Sequence, residues 1–375
     1  MLDYNIINAL VKYETSREPL CNREDIRNGA WMKSHTRQVQ YWPAEGAWIR
    51  KEARQEYQWF PEGVAVNIGD NNTNGTTSST CRYELKFNST VFCNLMANSI
   101  VMFIGDSITW EMYESLLVLL DSPIFPVRQV HIEATQKKGL PVLMNVCDEK
   151  NVTLIYRSSK KLEASSDTES IEIMLEEYFP TAIVLNVGAH YQPDDRFAMN
   201  LNNTLRLMRG WQRMCRLLDL SCPFFWRTTA PGIPDCASFT EPMNDVAQMQ
   251  MHVTSKPMFN WDKFAHQNDI AMSMLSRAEE GGKGLNYDVI VGYEMDMQRP
   301  DRRTCAGCKR NDCLHQKYSD VADAHNAVFL HYLRSHRHAE DVARLVDFEY
   351  NFSRDANIRP DGMAVAFDPR DRMVP

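Results

Sequence analysis

A three-layer αβα fold built on a mostly parallel sheet is what this 375-residue sequence predicts. Two observations carry that expectation. From about Ser99, short β-rich runs alternate with helical patterns, which argues for βαβ units. The runs are also continuously apolar rather than alternating, as strands buried on both faces should be. A third observation bears on function: polar motifs follow three of the runs, where open parallel sheets bind their ligands.

The elements follow in order. Residues 1–98 are rich in Trp, Tyr, Arg and Asn with few apolar runs, and predict an irregular segment held by aromatic residues and disulfides. The region 99–338 opens with the strand IVMFIG, the triplet Gly-Asp-Ser and an amphipathic helix, WEMYESLLVLL. The next strand, TAIVLNVG, runs into NVGAHY and a long helix, RFAMNLNNTLRLMRGWQRMCRLL. PFFWRTTA then leads into RTTAPG, and YDVIVGYEM precedes a last helix, SDVADAHNAVFLHYLRSH. Residues 339–375 form a tail. No period of 20–50 residues repeats, which excludes solenoids and propellers.

A net charge of −8 argues against a nucleic-acid partner, which would want a basic stripe. No segment approaches the run of about 18 apolar residues that a membrane helix needs. The start, MLDYNIINALVKYE, lacks the basic and apolar regions of a signal peptide. Ten cysteines and six Asn-x-Ser/Thr acceptor sites point the other way, to an oxidising, glycosylating compartment. The acceptors are Asn71, Asn74, Asn88, Asn151, Asn202 and Asn351. Residence in the Golgi lumen or outside the cell is then the expectation, and with it an N-terminal signal or anchor removed or lost ahead of this start.

A serine hydroxyl becomes nucleophilic when a neighbouring base takes its proton and a third group orients that base. Ser107 directly precedes a helix, whose first N–H groups favour a developing oxyanion. Thr109 stands where a Gly-x-Ser-x-Gly elbow needs its second glycine, which disfavours an α/β-hydrolase. Asp106 reads as a turn residue. Among ten histidines, His325 and His331 fall within the last helix and read as packing residues, while His336 and His338 suit its basic end. His315 differs. It lies in the loop RNDCLHQKYSD, three residues after Asp312, and no other Asp-x-x-His occurs in the chain. That spacing lets one turn present a base and the carboxylate that orients it.

These blocks, FIGDSITWEMYESLLVLL, LNVGAHY, FWRTTAPG and NDCLHQ, resemble in that order those of the GDSL/SGNH hydrolase superfamily. The branch they look most like is the PC-esterase group, which includes the trichome-birefringence-like polysaccharide O-acetyltransferases and sialate O-acetyltransferase-like proteins. The likeness spans roughly residues 20–338. It implies an SGNH-type sandwich and acetyl transfer to a glycan in the Golgi lumen, with Ser107 as nucleophile, His315 as base and Asp312 as its orienter. The oxyanion would be met by the Ser107 N–H and by Gly188, with Asn186 or His190 as further donors. No bound cofactor is implied; an acetyl donor, acetyl-CoA or an acetylated intermediate, is a substrate. A carbohydrate esterase using the same triad, or a silent glycan-binding protein on the same scaffold, are the alternatives. The sequence departs from the plant pattern at Trp110, where relatives carry an arginine associated with the oxyanion.

CAGCKRNDC, Cys305 to Cys313, offers too few ligands by itself for zinc and reads better as disulfide cysteines bracing the catalytic loop; no metal site is expected. Arg227 and Trp110 are candidate substrate contacts. Trp261 and Phe264 fit core packing better than a sugar platform, and the Met-rich EPMNDVAQMQMHVTSKPMF reads as a lid or helix edge.

Overall fold

The computed structural model describes residues 21, 23–33, 37–44, 47–54, 57–60, 83, 87–122, 141–162, 169–243, 245–279, 284–304, 312–316 and 321–336. Its centre is a six-stranded sheet in the order β10-β9-β8-β5-β7-β6. The strands are β5 (Ile100–Gly105), β6 (Val142–Val146), β7 (Val152–Ser158), β8 (Ala182–Leu185), β9 (Phe224–Arg227) and β10 (Tyr287–Ile290). All neighbours run parallel except β6, which pairs antiparallel to β7 from Val142↔Tyr156 to Val146↔Val152. Strands β8, β9 and β10 are buried at every residue, as a doubly covered parallel sheet requires. The edge strand β6 is buried at its two ends, with Leu143 and Asn145 exposed and Met144 half-buried between them.

Two strands go beyond the elements read from the sequence: β6 and β7 follow a stretch without clear periodicity. Their presence moves NVGAHY from the second parallel strand to the third in chain order. The chain leaves β5 toward β7, then returns through α4 (Glu169–Tyr178) to β8 on the other side. The order therefore reverses around β5, and its carboxyl end is the switch point where such sheets place ligands.

Helices α3 (Ser107–Leu119) and α9 (Val321–His336) pack together in one layer, and α5 (Asp194–Leu217) pairs with α7 (Phe264–Glu279) in the other. The first layer is sewn by polar contacts: Ser115 Oγ donates to Asp323 (2.6 Å), and Asn326 Nδ2 donates to Met112 O (3.0 Å). The α3 helix is not amphipathic in the fold. Every residue from Ile108 to Leu117 is buried, including Glu111 and Glu114, because α9 and the segment carrying His315 cover its polar side.

In the N-terminal segment, α1 (Arg23–Arg27) precedes β1 (Ala30–Lys33), which pairs antiparallel with β4 (Tyr57–Phe60), and β2 (Arg37–Ala44) pairs with β3 (Ala47–Arg54). This stretch, expected to be irregular, thus contains short ladders. Trp31 Nε1 donates to Met295 O (2.9 Å) and His331 meets Cys21 O (2.8 Å), docking it on the α/β region. Helix α2 (Ser89–Leu95) is capped by Asn88, whose side chain accepts from the Val91 N–H. Disulfides join Cys93 to Cys147, Cys215 to Cys222 and Cys236 to Cys313, and Cys21 is also disulfide-bonded. Of the glycosylation acceptors, Asn151 and Asn202 are exposed and Asn88 half-buried. Asn71, Asn74, Asn351, Cys305, Cys308 and His338 lie outside the described residues. No described helix is long and apolar enough to cross a membrane.

Candidate active site

The strand-to-helix turn at β5 is tightly specified. A Cβ on Gly105 would fall 2.2 Å from Thr109 Oγ1 and 2.4 Å from Asn186 O, so only glycine lets strand, helix and the neighbouring strand end meet. Asp106 caps α3: Oδ1 accepts from Ile108 N (3.0 Å) and Oδ2 from Ala189 N (3.1 Å). The same carboxylate therefore locks the Gly188–Ala189 loop to the Ser107 turn. The Tyr156 hydroxyl sits 3.2 Å from Gly105 O and 3.1 Å from Asp106 O, bracing the turn from β7. Ser107, the first residue of α3, is half-buried. Its N–H is among those a helix start leaves without an intrahelical partner.

His315 lies 208 residues away and meets this serine: Nε2 stands 2.7 Å from Ser107 Oγ. Its Nδ1 is 2.7 Å from Asp312 Oδ2. With Nδ1 donating to the carboxylate, Nε2 is left to accept the serine proton. Asp312 Oδ1 accepts from the N–H groups of Leu314 and His315, both at 3.1 Å. Burial alone would raise the Asp312 carboxyl. The His315 N–H, the imidazole and the Leu314 N–H outweigh it and hold the group below its usual value, so it is ionised at neutral pH.

Asp312 and His315 lie on a short strand, β12 (Asp312–Gln316), paired antiparallel with β11 (Arg303–Thr304), where the sequence predicted a loop. Several independent ties hold it. Cys313 is bonded to Cys236 and its carbonyl accepts from Ile233 N (2.9 Å). Arg303 Nη1 donates to Leu314 O (2.6 Å). Gln316 N donates to Glu111 Oε1 (3.1 Å), one turn along the helix that Ser107 begins.

Beneath lies a buried ionic cluster. Arg303 Nη1 is 3.9 Å and His325 Nε2 3.2 Å from the two oxygens of Asp296, all essentially inaccessible. Burial lowers the His325 imidazole against the attraction of Asp296. It raises the Glu111 carboxyl well above its usual value, with Asp296 adding to it and the Gln316 N–H, Arg303 and Arg227 opposing.

Three residues expected at the site are turned elsewhere. Asn186 is fully buried, and its amide donates to Arg227 O (2.7 Å) and Thr229 Oγ1 (2.8 Å), so it is not an oxyanion donor. Arg227 is also fully buried and donates from Nη2 to Asn186 Oδ1 (2.6 Å); it braces strand ends and does not reach a substrate. Trp110 is 7% exposed and packs against Tyr113 and Tyr156, with ring centroids 5.3 and 5.0 Å away. It supports the residue that braces the turn rather than offering a sugar platform.

Gly188 and His190 remain at the site. Gly188 has φ +141°, a glycine conformation, and its N–H meets no acceptor among the described residues. His190 lies on the exposed rim. Partial burial lowers its imidazole, Asp106 opposes, and Lys160, Lys161 and His315 add to the depression. Trp261 and Phe264 are core residues, in one cluster with Cys236, Cys313, Met249 and Val253. The Met-rich stretch forms α6 (Val246–Ser255) beside that cluster. No group of three metal-ligating side chains occurs among the described residues.

Glu111, Arg303 and Tyr156 were not anticipated. Glu111 carried one readable signal: it stands four residues after Ser107, one helical turn behind the candidate nucleophile.

The α/β sandwich with a half-buried serine–histidine–aspartate arrangement at its switch point defines the class of the molecule by geometry. Comparison with known proteins adds little to it. No protein-family model matches the chain, and no curated protein does. Among solved structures, a Bacteroides fragilis protein described as an acylhydrolase superposes with a TM-score of 0.31 at 13% identity, covering 63% of this chain and 86% of its own. A variant of an acetyl esterase, crystallised with acetate, gives 0.33 at 11% identity, covering 66% and 99%. Likeness at this level says nothing of activity or substrate.

Proposed function

We propose that the protein is a serine-dependent O-acyl enzyme that moves acetyl groups onto a glycan or polysaccharide in the secretory lumen. The observation that carries this reading is His315 bridging Ser107 and Asp312, with both contacts at 2.7 Å. The resemblance of the motif blocks to acetyltransferases of the SGNH type supports the choice of acyl group and acceptor.

In the proposed cycle His315 takes the Ser107 proton as Oγ attacks the donor carbonyl. The charge that develops on the carbonyl oxygen meets the N–H groups of Ser107 and Gly188. The donor's C–S or C–O bond then breaks, the leaving group takes the proton from His315, and an acetyl-serine remains. A sugar hydroxyl gives its proton to His315 and attacks this ester, restoring the serine. The acetyl donor, acetyl-CoA or an acetylated intermediate, is a substrate in this scheme. Ionised Asp312 keeps the imidazole oriented through both halves.

A second reading, a carbohydrate O-acetyl esterase, is favoured by one observation. The His315 and Asp312 side chains are 32% and 42% exposed, so water has access to the base. Both readings pass through the same intermediate. Incubation with p-nitrophenyl acetate followed by mass spectrometry should find acetyl on Ser107, and Ser107→Ala should cut turnover roughly a thousandfold or more. Absence of the adduct together with undiminished turnover in Ser107→Ala would overturn the enzyme reading. Adding oligosaccharide acceptors separates the two enzymes: acetylated sugar marks the transferase, and free acetate with every acceptor marks the esterase.

A further inference from the structure

The loop that follows β8 runs between the ends of its two neighbours in the sheet, β5 on one side and β9 on the other. Each neighbour sends one side chain across to it. From the end of β5, Asp106 Oδ2 accepts from Ala189 N (3.1 Å). From the residues after β9, Thr229 Oγ1 donates to Val187 O (2.6 Å). The two bonds grip the residues before and after Gly188. The Gly188 N–H between them meets no acceptor among the described residues.

Both anchors are themselves held. Thr229 is buried, and its hydroxyl accepts from Asn186 Nδ2 (2.8 Å) while it donates to the loop. Its backbone is clamped by Asn268 of α7, which accepts from the Thr229 N–H and donates to the Thr229 carbonyl, both at 2.9 Å. The loop lies close against this anchor. A Cβ on Gly188 would fall 2.7 Å from Thr229 Oγ1, so a side chain there would push the loop away. Asp106 is buried as well, and its other oxygen accepts from Ile108 N (3.0 Å), in the first turn of the helix that Ser107 begins. One carboxylate thus sets the spacing between that turn and the loop. Amide donors stabilise developing charge best when they need no reorganisation, and two buried side chains gripping a three-residue loop supply that condition.

We propose that Thr229 and Asp106 are positioning residues for acylation. Gripping the loop at Val187 and Ala189, they hold the Gly188 N–H at the distance from the Ser107 N–H that a carbonyl oxygen requires as it becomes an anion. Asn268 acts one contact further back, through Thr229. The proposal deepens the serine-enzyme reading above and rests on it for the oxyanion.

Pre-steady-state acylation of the full-length protein by p-nitrophenyl acetate, resolved into a saturating rate constant and an apparent Kd across pH, tests it. Thr229→Val keeps the shape and removes the hydroxyl. Asp106→Asn keeps the shape and leaves one of the two N–H groups without an acceptor. Each should slow the rate constant about 10- to 100-fold, the cost of a donor displaced rather than removed. The apparent Kd should stay within about twofold, because the lost interaction is made in the transition state. The acid limb of the pH profile should not shift, because the His315–Asp312 pair is untouched. Thr229→Ser, which restores the hydroxyl, should recover most of the rate. The proposal fails if either folded variant acylates at the parental rate, if the loss falls on Kd, or if Thr229→Ser is no better than Thr229→Val. If Thr229→Val or Asp106→Asn does not melt as a native protein, Asn268→Ala decides. It should slow acylation about three- to tenfold at unchanged Kd, and a parental rate would overturn the proposal. A parent that forms no acetyl-serine would overturn the catalytic reading and this proposal together, whereas acetyl-serine formed at the parental rate in the folded variants would overturn this one alone.

Discussion

The two ends of one sheet edge bury their charged groups to different depths. Around Ser107 and β12, the side chains that position the reacting groups spend their hydrogen bonds on one another. Asp106 takes two N–H groups, Asp312 takes two N–H groups and an imidazole, and Arg303 and Glu111 each hold one end of the strand between them. At the β9–β10 end, Glu294 on α8 (Gly292–Met297) pairs instead with an arginine that solvent reaches, Arg27 (2.9 Å). The first arrangement suits a site whose groups must already be aligned when charge develops. Rigidity on one side is underwritten by burial: the Arg303 side chain is 1% exposed, whereas that of Arg27 is 61% exposed.

That contrast predicts unequal costs for removing an arginine. Arg303→Met leaves Asp296 buried without its cation and should destabilise the protein by about 3–5 kcal/mol. Arg27→Met breaks a pair with one solvated partner and should cost about 0–1 kcal/mol. Urea denaturation of both variants measures the difference. Equal losses would mean that the buried cluster is no more committed than the surface pair, and the comparison would collapse.

The disulfides sharpen it further. Cys236 and Cys313 are 77 residues apart and pin β12 into an apolar cluster; Cys215 and Cys222, 7 apart, close a turn after α5. On chain entropy, replacing both cysteines by serine should cost about 4.5 kcal/mol for the first link and about 2.4 kcal/mol for the second. The functional split should be larger. Freeing β12 lets His315 drift from Ser107, so acylation by p-nitrophenyl acetate should fall in Cys236→Ser/Cys313→Ser and hold in Cys215→Ser/Cys222→Ser. Burst kinetics below the melting temperatures of both variants checks this, and equal acylation would show that β11, Arg303 and Glu111 hold the strand without the bond.

Much of this was legible in the sequence because the signals are local. Gly-Asp-Ser ends an apolar run, and Asp312 and His315 share one short segment, so chain order alone brings Ser107, His315 and Asp312 forward as candidates. The alternation of runs and helices likewise announced the parallel sheet, although β6, an edge strand with Leu143 and Asn145 exposed, carried no continuous apolar pattern. What stayed hidden depends on facing. In and beyond a strand, neighbouring side chains take opposite sides, so an offset of one residue decides whether a polar group meets substrate or core. Asn186 and Arg227 stand at adjacent strand ends and satisfy each other, which no motif reveals. Glu111 looks like the wet face of an amphipathic helix until α9 and β12, more than 190 residues away in the chain, cover it.

Glu111 supplies the most specific effect. Its carboxyl is raised well above the ordinary 4.5 by burial, with Asp296 adding to it, while the Gln316 N–H, Arg303 and Arg227 pull the other way. The native state therefore holds a proton that the unfolded chain releases near the ordinary value. Below that value both states are protonated and Glu111 is neutral in its effect. Above it the unfolded state binds fewer protons, so stability falls as pH rises, until the native carboxyl also ionises. One group contributes at most about 1.4 kcal/mol per pH unit to that slope. Glu111→Gln keeps the oxygen that accepts from Gln316 N and removes the ionisation. Its melting temperature relative to the parent should be lowest in acid, rise from about pH 4.5 upward, and level off. A difference that does not change with pH would mean that Glu111 stays ionised against Arg303 and Arg227, and β12 would then be held by charge rather than by a neutral acid.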